Sequence, residues 1–120
     1  MAIRFPASPE RDIEDENICR DISRNFVGAR ELRDQFLYSI SILRDQLAYF
    51  EDRLIELRVE AGQRTDDRSL RDDIRQLERD RDDKNARLDE QLFNYDLNEA
   101  DLVRLNADFE SNGCDKWFRR

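Results

Sequence analysis

The stretch FLYSISILRDQLAYFEDRLIEL, residues 36–57, decides the fold of this 120-residue chain. Large apolar side chains recur in it at alternating spacings of four and three residues, at Phe36, Ile40, Leu43, Leu47, Phe50, Leu54 and Leu57. This alternation places all of them on one stripe of an α-helix, as in the seam of a coiled coil. The stretch therefore predicts a long helix that packs against a second helix along this stripe.

The same repeat extends beyond the stretch in both directions. Written as a heptad, its a positions are Cys19, Phe26, Arg33, Ile40, Leu47, Leu54 and Ala61, and its d positions are Ile22, Ala29, Phe36, Leu43, Phe50 and Leu57. Ser8, Pro9 and Glu10 are typical of a helix start. We therefore expect a first helix at residues 9–61, with a kink allowed at Gly28 because glycine weakens a helix.

A reversal of the chain is predicted at residues 62–66. Gly62 is a typical left-handed residue after a helix, and Thr65 followed by two aspartates is typical of a helix start. A second helix is then predicted at residues 67–112, with a break allowed at residues 93–98. The rival interpretation, one unbroken long helix, remains open because the heptad phase across the turn favours neither.

The second helix has a poorer seam than the first. Its a positions are Ile74, Arg81, Leu88, Tyr95, Leu102 and Phe109, and its d positions are Leu70, Leu77, Lys84, Gln91, Asn98 and Leu105. Folding the chain at the predicted turn makes the numbers of facing residues sum to about 127, since both helices share one rise per residue. In this register Leu57 faces Leu70, and Ile18 approaches Phe109.

The predicted fold class is therefore all-α. It is a long antiparallel, coiled-coil-like helical hairpin, with a short extended arm at residues 1–8 and a basic, aromatic tail at residues 113–120. Gly113 is expected to end the second helix in the left-handed conformation.

Composition limits the classes of function. Charged residues make up 42% of the chain, the net charge is −8, and apolar residues amount to only 38%. So few apolar side chains do not enclose a wide core, although they suffice for a seam between helices. An acidic chain is a poor match for nucleic acid, and no uncharged run is long enough to cross a bilayer, so neither is expected as a partner.

The two cysteines, Cys19 and Cys114, bear on the compartment. No signal peptide is visible, because Pro6 interrupts the N-terminal residues before an apolar segment forms. Two cysteines do not make a disulfide framework, so a reducing compartment is the default, either the cytoplasm or the inside of a virion. We expect free thiols, with a Cys19–Cys114 bridge as the alternative.

No pattern predicts a catalytic, cofactor or metal site. The chain has no His, the commonest general base. Adjacent acids such as Asp72 and Asp73 point about 100° apart on a helix and do not converge. Residues 108–113 match the first half of a calcium loop, but Arg119 stands where the bidentate Glu belongs, so a helix C-cap is expected there.

Two sets of residues are candidates for partner binding. Leu32 and Leu37 widen the first seam beyond what one helix covers, and we group them with Phe36 and Ile40. The tail residues Trp117, Phe118, Arg119 and Arg120 interleave aromatic and basic side chains, as docking segments do. An equally good interpretation of the tail is an aromatic pair that folds back on the helices.

These features predict a non-enzymatic structural or assembly subunit of a larger multi-protein complex, with a viral or phage particle as the expected setting. It acts through coiled-coil contacts with protein partners, either copies of itself or other subunits. The alternative is a soluble, acidic helical regulator or chaperone that binds one client transiently.

Overall fold

The computed structural model describes residues 9–120, with side chains from Asp12 onwards, and the predicted arm at residues 1–8 lies outside this range. Two long helices, α1 (Pro9–Gln63) and α2 (Arg68–Ser111), are followed by a short 3₁₀ helix at Cys114–Lys116. The two helices pack as an antiparallel hairpin, and the described range contains no strand. The predicted hairpin is confirmed over the single unbroken helix.

The turn between the helices lies slightly later than predicted. Gly62 belongs to α1 and does not adopt a positive φ, so the prediction that it ends the helix in the left-handed conformation is wrong. Instead the Arg64 amide donates to the Glu60 carbonyl, at 2.9 Å, which carries the helical pattern one residue past Gln63. Glycine is tolerated near a helix end because its cost of up to about 1 kcal/mol is smallest where the helix frays.

Asp67 starts α2. Its carboxylate Oδ1 accepts a hydrogen bond from the Leu70 amide at 3.0 Å, which satisfies one of the amides that a helix N-terminus leaves unpaired. The Arg71 amide donates to the Asp67 carbonyl at 3.2 Å and closes the first helical turn. The predicted helix-start signal, Thr65 followed by two aspartates, therefore includes the residue that caps the helix.

The predicted seam agrees with the burial of both helices. From Cys19 to Phe109, no a or d position is fully exposed, and every buried residue of α1 and α2 occupies one of them. These buried residues are Cys19, Ile22, Phe26, Ala29, Ile40, Leu43, Leu54, Leu57, Leu70, Asn98, Leu105 and Phe109. The heptad pattern therefore identified the packed stripe of each helix.

The register between the helices differs from the prediction. Because the turn begins about two residues later, each residue of α1 faces a residue of α2 about four positions later than predicted. Phe109 lies one helical turn beyond the residue that this register places opposite Phe26, and it packs on the Phe26 ring with centroids 6.0 Å apart in an edge-to-face arrangement, while Ile18 is 46% exposed. In this register the a positions of one helix lie opposite the d positions of the other, so that side chains of each fill gaps in its neighbour.

The hairpin divides into two compact units. The first joins α1, as far as Asp34, to Leu97–Arg120, and the second is Gln35–Asp96, which contains the turn. The first unit holds a continuous apolar group, here called the end cluster, of Cys19, Ile22, Phe26, Ala29, Leu105, Phe109 and Cys114. Phe109 and both cysteines in it are fully buried.

Asn98 is the one buried polar residue among the described side chains, at 5% exposure. Its amide Nδ2 donates to the Ala29 carbonyl oxygen at 2.9 Å, from one helix to the other within the first unit. Buried asparagines in coiled-coil seams fix the register, because a shifted neighbour leaves the amide without a partner. We infer the same role for Asn98.

The second unit buries fewer apolar side chains than the first and uses charged pairs. Arg81 occupies a seam position and approaches Glu51 of α1 at 3.7 Å, and Arg58 of α1 approaches Glu78 at 3.5 Å. Such partly exposed pairs each stabilise a protein by about 0–1 kcal/mol. The packing of this unit therefore depends mainly on Ile40, Leu43, Leu54, Leu57 and Leu70.

Candidate interaction surfaces

The four α1 residues predicted to bind a partner fall into two classes. Ile40 is only 4% exposed and Phe36 is half-buried, so both belong to the hairpin's own seam. Leu32 and Leu37 are 45% and 46% exposed. The apolar stripe of α1 is therefore wider than the seam, and of these four residues only Leu32 and Leu37 are exposed.

The C-terminal tail folds back on the first unit. Gly113 adopts the left-handed conformation, with φ of 61°, as predicted for the residue that ends α2. The amides of Trp117 and Phe118 both donate to the Cys114 carbonyl at 3.0 Å, and both side chains pack against the end cluster. Of the two interpretations of the tail, folding back is the one that the structure shows.

The two arginines of the tail differ. Arg119 is exposed, whereas Arg120 lies over the Phe109 ring, with its guanidinium carbon 5.0 Å from the centroid. Nη1 of Arg120 also donates to Glu110 Oε1 at 2.8 Å, and this hydrogen bond raises the pKa of Arg120 above its ordinary value. Arg120 therefore holds the tail in place, and Lys116 and Arg119 are exposed cations of the tail.

Cys19 and Cys114 form a disulfide, with their Cα atoms 5.3 Å apart, so the expectation of free thiols is wrong. That expectation extended the helical rise of α2 as far as residue 114, which placed the two cysteines out of register. The chain leaves the helix after Ser111, and the left-handed Gly113 turns Cys114 back toward α1. Irregular backbone beyond a helix end does not follow a rise per residue, so spacing alone missed the bridge.

The predicted C-cap at residues 108–113 is present. Asn112 Nδ2 and Ser111 Oγ both donate to the Asp108 carbonyl, at 2.7 Å and 3.2 Å, so these side chains close the helix end. No group of three or more acidic, Cys or His side chains converges on a metal position within the described range.

A set of exposed apolar side chains was not singled out from the sequence. Tyr38, Ile42 and Tyr49 of the second unit are 70%, 38% and 65% exposed and lie on one line along α1, away from the seam. The signal was available: residues 35–43 are uncharged in a chain that is 42% charged. The seam uses only part of that run and leaves the rest on the surface.

An open groove of about 430 Å³ runs beside this line in the second unit. Tyr38, Ile42 and Leu43 of α1 line one wall, and Lys84, Arg87, Glu90 and Gln91 of α2 line the other. Gln46 also lines the groove, and its Oε1 is buried without a hydrogen-bond partner among the described side chains. The groove therefore offers an apolar wall, a charged wall with two cations and one acid, and an unused acceptor, which suits a polypeptide segment better than a small molecule.

Neither long helix carries an apolar stretch that would let it cross a bilayer, as far as the described residues extend. Comparison with known proteins gives no relative from which a role is transferable. No protein-family model, no curated protein and no solved structure matches this chain.

Proposed function

We propose that this chain is a non-enzymatic structural or assembly subunit of a multi-protein complex and acts through helix-to-helix contacts. The observation that carries the proposal is the exposed apolar surface on the outer faces of both helices. Tyr38, Phe93 and Val103 are 70%, 63% and 71% exposed at heptad positions that a solvated hairpin fills with polar residues.

Exposed aromatic residues favour a protein interface in particular. Tyrosine and phenylalanine are enriched where proteins meet, and lysine, aspartate and glutamate are depleted there. The chain has few apolar residues, yet it leaves several of its largest ones outside the seam. A protein that only had to stay folded and soluble gains nothing from this arrangement.

The disulfide between Cys19 and Cys114 supports a particular setting for the assembled form. Disulfides persist where thiols are oxidised, as in extracytoplasmic spaces and on particles outside the cell. The proposed subunit therefore works in such a place, and a viral or phage particle outside its host is one that fits.

The groove favours a second candidate function, a regulator or chaperone that holds one client segment and releases it. Its apolar wall and its charged wall form an open channel in the second unit. This candidate predicts reversible, micromolar binding, whereas an assembly subunit remains permanently incorporated.

Affinity purification without cross-linking, from the cells or particles that make the chain, tests the proposal. The expected result is recovery in fixed stoichiometry with one or more proteins, itself included, that survives extended washing. Recovery of the chain alone would overturn the proposal, and a partner lost on dilution would favour the regulator.

A further inference from the structure

One face of α1 in the second unit combines two acids and a tyrosine. Asp45, Tyr49 and Asp52 are spaced by four and three residues, so they lie in line on the helix, and all three are exposed. Tyr49 is 65% exposed, and neither carboxylate makes an ion pair with any described side chain. We call these three residues the acidic face.

One face of α2 in the same unit carries three arginines, here called the arginine stripe. Arg68, Arg71 and Arg75 are exposed and spaced by three and four residues. Arg75 approaches Asp72 at 3.9 Å with both side chains more than two-thirds exposed, while Arg68 and Arg71 make no ion pair with the described side chains. Cations are unfavourable at a helix N-terminus, so local stability does not explain the stripe.

The two surfaces match when they are brought together antiparallel. Asp45 then faces Arg75, and Asp52 faces Arg68. The outer residues of each set are seven positions apart, which is about 10.5 Å of helical rise in both cases. Between these pairs, Arg71 lies over the Tyr49 ring. Guanidinium groups bind carboxylates through paired hydrogen bonds and stack on aromatic faces, so all three contacts are favourable.

The acidic face and the arginine stripe of one chain do not meet. In the hairpin's register, α1 around Asp45 and Asp52 lies beside residues of α2 roughly four to eleven positions beyond Arg75, by the rise per residue. All six residues are exposed, and Tyr49 also lines a groove with Asp73, Gln76 and Asp80 of α2, none of which belongs to the arginine stripe. The match is therefore satisfied only by another molecule.

We infer that the arginine stripe of one copy of this chain docks antiparallel on the acidic face of a second copy. This inference rests on the proposed function and names the partner as the chain itself. Because the contact joins two unlike surfaces, each copy carries one of each, and association either closes into a ring or continues as a filament. The net charge of −8 repels copies at a distance, but salt at physiological concentration screens charges farther apart than about 8 Å.

Sedimentation velocity on the full chain, over a range of concentrations, tests the inference with two charge-reversed variants. Asp45→Arg/Asp52→Arg places like charges in the contact, and Arg68→Glu/Arg75→Glu does the same from the other side. We expect each variant alone to lose at least about tenfold in affinity for itself, since reversed pairs repel. An equimolar mixture of the two is expected to associate again, because the arginines introduced in one variant face the glutamates introduced in the other.

Asp89→Arg/Asp96→Arg is the matched control. It reverses two exposed acids at the same spacing, changes the net charge as Asp45→Arg/Asp52→Arg does and lies outside both surfaces, so it is expected to associate like the unmodified chain. Circular dichroism on all variants checks that the helices persist. Monomeric unmodified chain, undiminished association of both variants, or a mixture that stays dissociated would each overturn the inference.

The two proposals fail in different ways. An unmodified chain that is monomeric alone but co-purifies in fixed stoichiometry with other proteins overturns the self-docking and leaves the assembly role in place. A chain that finds no partner in either experiment overturns both.

Discussion

The end cluster and the middle of the second unit follow the same heptad pattern. The end cluster fills its seam positions with apolar side chains, whereas the middle of the second unit places charged side chains there. In the end cluster, Phe109 and the Cys19–Cys114 disulfide are fully buried. In the middle of the second unit, Arg81 and Lys84 occupy seam positions, and Arg81 approaches Glu51 at 3.7 Å. A regular seam therefore does not imply that stability is evenly distributed along the helices.

The energies of the two kinds of contact explain the difference. Burying apolar surface contributes roughly 25 cal/mol per Å², so one large aromatic side chain contributes several kcal/mol. A partly exposed ion pair contributes about 0–1 kcal/mol. The end cluster therefore supplies a large share of the folding free energy, and the middle of the second unit supplies little.

Of the substitutions considered, Phe109→Ala is expected to have the largest effect on the free energy of unfolding. Removing a fully buried aromatic ring leaves a cavity, and we expect the free energy of unfolding to fall by about 3–5 kcal/mol, measured by urea denaturation with circular dichroism. Phe93→Ala is the matched control, because Phe93 is 63% exposed and its loss is expected to change that free energy by less than about 0.5 kcal/mol. Equal effects from the two variants would contradict the contrast.

Reduction of the disulfide is expected to lower the free energy of unfolding by about 2–4 kcal/mol, because the bridge closes a loop between residues 95 positions apart. Denaturation with and without dithiothreitol measures this loss. The variant Cys19→Ser/Cys114→Ser is the control and should not respond to the reductant. Faster hydrogen exchange at the Trp117 and Phe118 amides should accompany reduction, and an unchanged tail would contradict the role of the bridge.

Arg81→Leu should reduce the contrast by adding an apolar residue to the poor seam. The Arg81 side chain is already only 22% exposed, so a leucine is expected to bury most of its surface and raise the free energy of unfolding by about 1–2 kcal/mol. Arg79→Leu, at an exposed position two residues earlier, is the control and is expected to give no gain. A loss of stability in Arg81→Leu would show that its ion pairs matter more than the seam.

Gly28→Ala is the smallest expected effect. Gly28 lies within α1, and a Cβ there meets no atom within 4 Å, so alanine should raise the free energy of unfolding by up to about 1 kcal/mol. Gly113→Ala is expected to lower it by about 1–2 kcal/mol, because Gly113 has a φ of 61° that alanine adopts poorly. Thermal unfolding of both variants checks the opposite signs.

The sequence predicted the hairpin, the seam of each helix and the left-handed Gly113. These features depend on neighbours within a few residues, and the positions of apolar side chains report them directly. The exposure of Tyr38 and Ile42 was also predictable, since both lie in an uncharged run of a highly charged chain. The seam accounts for Phe36 and Ile40, whereas Tyr38 and Ile42 in the same run lie outside it.

The amino-acid sequence by itself determined which stripe of each helix is buried, because a helix fixes the direction of every side chain from its spacing along the chain. The tertiary structure was needed to establish the register between the helices, the bridge between Cys19 and Cys114, and the fold-back of Trp117 and Phe118. A two-residue shift in the turn moves every facing pair, and a single left-handed glycine redirects the tail. Contacts between distant residues depend on such small local angles, and residue spacing carries no information about them.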